Sequence, residues 1–126
     1  MENELKVVDI FIGTTLRGSA KGSGRAMYIM RTKRKNGSDY EAAPQIVEYD
    51  NTTESESVLR AIRDALQRLH YACTVVIHTE CSYVASAITQ HWPEKWQRNG
   101  WKSAKGNPVK NAVLWEMLLQ DVEDSC

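Results

Sequence analysis

The 126-residue chain has no apolar run that approaches membrane-spanning length, and its opening MENELK lacks a basic stretch leading into an apolar signal core. Neither a membrane span nor a secretory leader is expected, and the chain is assigned to the cytoplasm. Its three cysteines, Cys73, Cys81 and Cys126, form no CxxC pair, and an odd count does not suit a disulfide framework, so reduced intracellular thiols are expected. Net charge is missing as well: 16 basic residues balance 16 acidic ones, and the total gives no argument for a polyanionic partner. The glycine-containing stretch GSAKGSG does not have the GxxxxGK[ST] order, which excludes a phosphate-binding loop of that kind.

The distribution of charge says more than its sum. Residues 91–111 hold Lys95, Arg98, Lys102, Lys105 and Lys110 against the single acid Glu94, whereas the segment from Ala112 onward carries Glu116, Asp121, Glu123 and Asp124 and no base. A basic lobe is therefore followed by an acidic end. With 42% hydrophobic and 25% charged residues, a chain of this length is expected to bury one core, as a single domain over residues 1–126.

The organising stretch is VVIHTECSYV, Val75–Val84. Val75, Val76 and Ile77 read as a strand buried on both faces, and Glu80 falls at its carboxyl end, the edge where ligands collect in open α/β sheets. A capping role for Glu80 or Ser82 at the next helix is the alternative. Upstream, Val7–Ile12 and Arg25–Thr32 are strands, and Asn36-Gly37 marks a hairpin turn into a third, Glu41–Tyr49, which Pro44 makes irregular or peripheral. Thr53 with Glu56 forms a capping box for a helix whose inward face is Val58, Leu59, Ile62, Ala65, Leu66 and Leu69. Tyr83–Gln90 and a turn opened by Pro93 and reaching Arg98 are helical, Asn99-Gly100 ends the latter, and Lys102–Asn107 is a polar loop. The last helix spans Val109 to about Val122, with Val113, Leu114, Met117 and Leu118 inward. The fold expected is α/β: a three-strand antiparallel meander, a crossover helix and a parallel strand beside the first, covered by helices.

These segments resemble the ribonuclease H family over nearly the whole chain. TECSYV resembles the family's strand-to-helix TDSxYV, and AITQHWPEKWQRNGWKSAKGNPVKNAVLWEML follows its tryptophan-rich basic protrusion and the next helix, Lys110-Asn111 and Leu114-Trp115 being especially specific. VDIFIGTTLRG resembles the first strand and turn, and Asn51-Thr52-Thr53 the asparagine-rich turn before the first helix. The resemblance implies a ribonuclease H-like mixed sheet and a site where carboxylates hold two divalent ions, about 4 Å apart, that cut the RNA strand of an RNA–DNA hybrid. It also implies a final strand, a loop with a mobile histidine and a last helix bearing an aspartate, none of which has a counterpart in the sequence, so a fold without its last strand and helix is expected.

The departures concern the ligands. The first-strand aspartate of the family falls on Gly13, and Asp9, four residues earlier, is roughly 13 Å away at strand rise. The helix glutamate falls on Ser55, with Glu54 and Glu56 turned about 100° to either side. Glu80 alone keeps a carboxylate in a family position, and His78 reads as a structural side chain. The expectation is a pseudoenzyme: a catalytically silent domain without a resident cofactor that binds hybrid or duplex backbone, or a protein partner. The alternative is an active nuclease needing Mg2+ or Mn2+, with Glu80 and Glu56 (or Glu54) as catalytic acids and Glu80 as metal ligand. Nucleic acid would meet Asn51, Trp92, Lys95, Trp96, Arg98, Trp101, Lys102 and Lys105. The edge of strand 74–79 would pair with a second copy or a partner protein, or lie under the last helix or the acidic tail.

Overall fold

The computed structural model describes residues 6–18, 20–33, 36–69 and 73–125. Residues 34 and 35 of the predicted turn, and Cys126, lie outside them. Strand β1 (Lys6–Thr14) pairs antiparallel with β2 (Gly22–Lys33), and β2 pairs on its other side with both β3 (Asp39–Glu41) and β4 (Gln45–Thr52). The single strand expected over 41–49 is thus broken: proline has no N–H to give a ladder, and the chain around Pro44 leaves β2 before rejoining it. Helix α1 (Glu54–Leu66) crosses over to β5 (Cys73–Thr79), which lies parallel to β1. Helices α2 (Ser82–Thr89), α3 (Trp92–Arg98) and α4 (Ala112–Ser125) follow. No helix among the described residues is long and apolar enough to cross a membrane.

Alternation divides the sheet into two faces. Val8, Ile10 and Ile12 of β1 and Ala26 and Tyr28 of β2 are buried against Val58, Leu59, Ile62, Ala65 and Leu66 of α1, the face that the helical period predicts. Thr53 caps α1, its hydroxyl accepting from the Glu56 backbone N–H at 3.2 Å. The reciprocal half of the predicted box is altered, because the Glu56 carboxylate accepts instead from the Thr52 hydroxyl at 2.6 Å. Gly24 is needed where it stands, since a Cβ there would come within 2.6 Å of the Leu16 side chain.

Two expectations about burial are corrected. β5 is not covered on both faces: Val75 and Ile77 are half-buried, while Val76 on the opposite face is 38% exposed, because α1 packs on the other face of the sheet. In α4 Trp115 and Leu118 are buried and Leu114 is half-buried against the core, whereas Val113 is 69% and Met117 40% exposed. The helix starts at Ala112, not Val109: a bridge between Lys102 and Pro108 and the left-handed Asn111 (φ 61°) occupy the residues before it. Its rotation brings Trp115 to Trp96 and Tyr83. α4 packs on α1 and α3, fixed to α1 by Arg63 and Asp121 at 2.7 Å.

On the helix-free face, polar side chains close on one another. His78 Nε2 lies 2.8 Å from Asp9 Oδ1, with the imidazole stacked 4.3 Å from Phe11. Arg31 pairs with Glu41 at 2.9 Å and Arg25 with Glu48 at 3.3 Å.

Candidate functional site

A cleft of about 530 Å³ opens at the carboxyl ends of the parallel neighbours β1 and β5, lined by residues 11–14 and 78–81 together with Arg17 and Glu54. Its place follows from topology, since the two strands end side by side and their loops diverge. Glu80 stands where β5 ends, as the sequence places it, and its side chain is 92% exposed. Neither Glu80 nor Ser82 caps α2: the N-cap is Cys81, with no side-chain cap, and the Cys81 N–H donates to the Thr79 hydroxyl at 3.1 Å. Burial pushes the Cys81 thiol up from its ordinary pKa, and the nearby Glu54 charge adds to the shift, which disfavours the thiolate.

The acid that joins Glu80 at the cleft is Glu54; Glu56 is absent from its lining. Glu56 is engaged at the head of α1 by the Thr52 hydroxyl and lies 3.8 Å from Arg60. Glu54 Oε1 accepts from the Gly18 backbone N–H at 2.9 Å. Ser55 is buried, with its hydroxyl accepting from Asn111 Nδ2 at 3.2 Å, and Gly13 adds no side chain. Asp9 is held by His78 and is likewise outside the cleft lining.

Two divalent ions need converging negative oxygens. Here one carboxylate is tied to a backbone N–H and the other, Glu80, has Arg17 Nη2 at 3.9 Å. Among the described residues no three His, Cys, Asp or Glu side chains group as a metal site would require. The donor set does not fit a two-ion centre.

Arg17 is the residue that sequence reasoning missed. Its Nη1 donates to the Thr14 and Leu16 carbonyls, both at 2.7 Å, which folds the side chain back over its own loop to the cleft. The one available signal is a cation, Arg17, within the glycine-containing stretch TTLRGSAKGSG, which also holds Lys21.

The second candidate surface is the lobe. α3 begins after His91, in the left-handed region at φ 56°, with Pro93 in its first turn. It ends in a Schellman arrangement: the Trp101 N–H bonds Trp96 O at 2.7 Å, the Gly100 N–H bonds Gln97 O at 3.3 Å, and Gly100 takes φ 67°. The following loop is closed by the Ser103 N–H to Asn107 O bond at 2.8 Å and the Val109 N–H to Trp101 O bond at 3.1 Å. Trp92, Trp96 and Trp101 are half-buried and packed against the core, the first two with rings 6.0 Å apart. They hold the lobe together, while Lys95, Arg98, Lys102, Lys105 and Lys110 are exposed and have no acidic partner among the described residues. Asn51 is exposed at the end of β4 in the left-handed region, φ 51°, on a different element from the lobe.

The family profile described as RNase H matches residues 8–125. The ribonuclease H of Thermoanaerobacter sp. (strain X514) is 31% identical over 121 residues, 95% of this chain and 73% of that protein. That of Caldicellulosiruptor saccharolyticus is 41% identical over 71 residues, 56% of this chain and 49% of that protein, so the match spans about half of that relative's length. In three dimensions the foamy viral protease-reverse transcriptase, solved in complex with dsDNA and with RNA/DNA hybrid, superposes with TM-scores of 0.64 and 0.60 at 15% identity. The superposition covers 95% of this chain in each case, and 75% and 16% of the respective chains compared.

Proposed function

The chain belongs to the ribonuclease H family, and from that membership we propose that it holds nucleic-acid backbone without cutting it. The observation that carries this reading is the state of two positions where the family resemblance sets acids. Gly13 offers no side chain, and Ser55 is buried and bonded to Asn111. Glu54 and Glu80 remain, too few oxygens to hold two ions side by side. In this reading the domain is a pseudoenzyme.

The binding half rests on the lobe. Five exposed cations without acidic partners among the described residues, carried on a frame that aromatic packing and a closed loop make rigid, suit contact with successive phosphates. Because the tryptophans are built into that frame, backbone contact outweighs base stacking, and sequence preference is weak. The foamy viral protein of like fold was solved with dsDNA and with RNA/DNA hybrid, and duplex backbone of either kind is the ligand proposed here. Reversing Lys102 and Lys105 to glutamate is expected to weaken hybrid binding and to lower the slope of log affinity against log salt by about 2. Unchanged binding would refute it. Magnesium- or manganese-dependent hybrid cleavage that disappears in Glu80→Gln would overturn the silent half and favour the nuclease.

A second reading, compatible with the first, concerns β5. Among the described residues it pairs only with β1, and beside it runs an apolar groove of about 250 Å³ that includes Ile62, Val75, Ile77, Leu118 and Val122. An unpaired edge beside apolar lining suits a second copy or a partner's strand. Sedimentation should then show association that Val75→Lys abolishes; a strict monomer at high concentration would exclude the second copy.

A further inference from the structure

We infer that Arg17 is the cleft's own cation and takes a backbone phosphate directly, in the place where a metal-dependent relative would use ions. The inference rests on the backbone-holding reading and assigns it a second contact, in the cleft.

A guanidinium carries five N–H donors in a fixed plane. In Arg17 the two hydrogens of Nη1 are spent on the Thr14 and Leu16 carbonyls, both at 2.7 Å, which orients the plane before any ligand arrives. The Nε and Nη2 edge makes no hydrogen bond among the described residues; its nearest acid oxygen is Glu80 Oε2 at 3.9 Å, beyond hydrogen-bond reach. That open edge is the fork that matches two oxygens of a phosphodiester. The cleft that Arg17 and Gly13 both line measures about 530 Å³, and a Cβ at Gly13 would meet nothing within 4 Å.

The two acids oppose an anion unequally. Glu54 already accepts from the Gly18 N–H, whereas Glu80 is almost wholly in water, where its charge is screened and its loose contact with Arg17 is easily displaced. Glu80 is therefore a competitor of the phosphate. This gives the Glu80→Gln substitution a sign opposite to the one a metal site demands.

The test is binding of the full chain to a labelled 16-base-pair RNA–DNA hybrid in EDTA. The variants are Arg17→Ala, Arg17→Lys, Glu80→Gln and the Lys102→Glu/Lys105→Glu pair. Arg17→Ala is expected to lower affinity about tenfold and reduce the salt slope by about 1. Arg17→Lys keeps the charge and loses the fork, and should fall nearly as far. Glu80→Gln should tighten binding severalfold. Arg17→Lys binding like the unaltered chain would overturn the fork and with it the inference, even if Arg17→Ala fails to fold. Loss of binding in Glu80→Gln, or restoration of it only by magnesium, would overturn it as well. If the lobe pair weakens binding and neither Arg17 variant does, this inference alone fails; if the lobe pair has no effect, the backbone-holding reading fails first.

Discussion

Truncating Trp115 to alanine tests how the helical layer is joined to the lobe. The side chain is fully buried, its ring lies edge-on to Tyr83 at 6.3 Å and to Trp96 at 6.1 Å, and its Nε1 donates to the Tyr83 hydroxyl at 3.3 Å. Removing a buried indole costs about 3–5 kcal/mol, a range that already contains the two aromatic contacts. A domain of this size has only about 5–15 kcal/mol in total. The thermal midpoint should therefore fall by about 10–20 °C. Trp115→Phe keeps most of the volume and loses the indole hydrogen bond, so about 1–2 kcal/mol is expected. Val113→Ala, on the outer face of α4, should stay within about 0.5 kcal/mol. Urea unfolding followed by far-UV circular dichroism measures all three. Val113→Ala costing more than Trp115→Ala would mean that the inward face of α4 is wrongly assigned. Because Trp96 rests on Trp115, hybrid affinity should also drop in Trp115→Ala at temperatures where the sheet is still folded.

The Arg63–Asp121 pair joins α1 to α4 with contacts at 2.7 and 3.4 Å, and its side chains are 21% and 12% exposed. Breaking a fully buried pair costs about 3–5 kcal/mol, and partial access to water brings Asp121→Asn to about 2 kcal/mol, measured by urea unfolding; a cost below about 0.5 kcal/mol would refute a structural role. Alkaline pH gives a further test. Burial raises the pKa of Tyr28, Tyr49, Tyr83 and Cys81, with the Asp64 carboxylate adding to the rise at Tyr28. The unfolded chain gives up these protons first, so their contribution is complete below the unfolded values, about 8.5 for the thiol and 10 for the phenols. It is lost as pH rises through the higher folded values. The urea midpoint should fall between pH 8 and pH 10.5, less steeply in Tyr83→Phe, and equal slopes in the two proteins would count against the assignment.

Some elements were legible in the sequence because one local signal dominated. α1 has its cap at Thr53 and an apolar stripe in a single helical period; of the six residues expected there, five lie in the helix, Leu69 falls just past its end, and all six are buried. Pro44 announced an interruption, although its splitting of the strand into β3 and β4 depends on β2 being long enough to hold both. α4 was misread because Val113 and Met117 are as apolar as Leu118, and hydropathy alone cannot choose between two stripes. Trp115 chooses, through partners distant in sequence. The left-handed Trp101 and Asn111 carry no glycine to mark them. At the cleft, Glu80 was legible from its place at a strand end, whereas choosing Glu54 over Glu56 needs the loop that brings the Gly18 N–H to meet it.

The pairing of charges on the helix-free face has an electrical consequence. Arg25, Arg31, Glu41 and Glu48 each have an opposite charge within 3.3 Å, so this face contributes little to the potential a few tens of ångströms away. Among the described residues, unpaired charge of opposite sign gathers in the cations of residues 95–110 and in Glu116 and Glu123 of α4, whose 14 residues extend about 20 Å from their start beside the lobe. A molecule of zero net charge is then a dipole. Near a polyanion it feels a torque more than a pull, and it turns its positive end forward before contact. That alignment should speed productive encounters at low ionic strength and fade once the screening length shrinks to about 8 Å near 0.15 M salt.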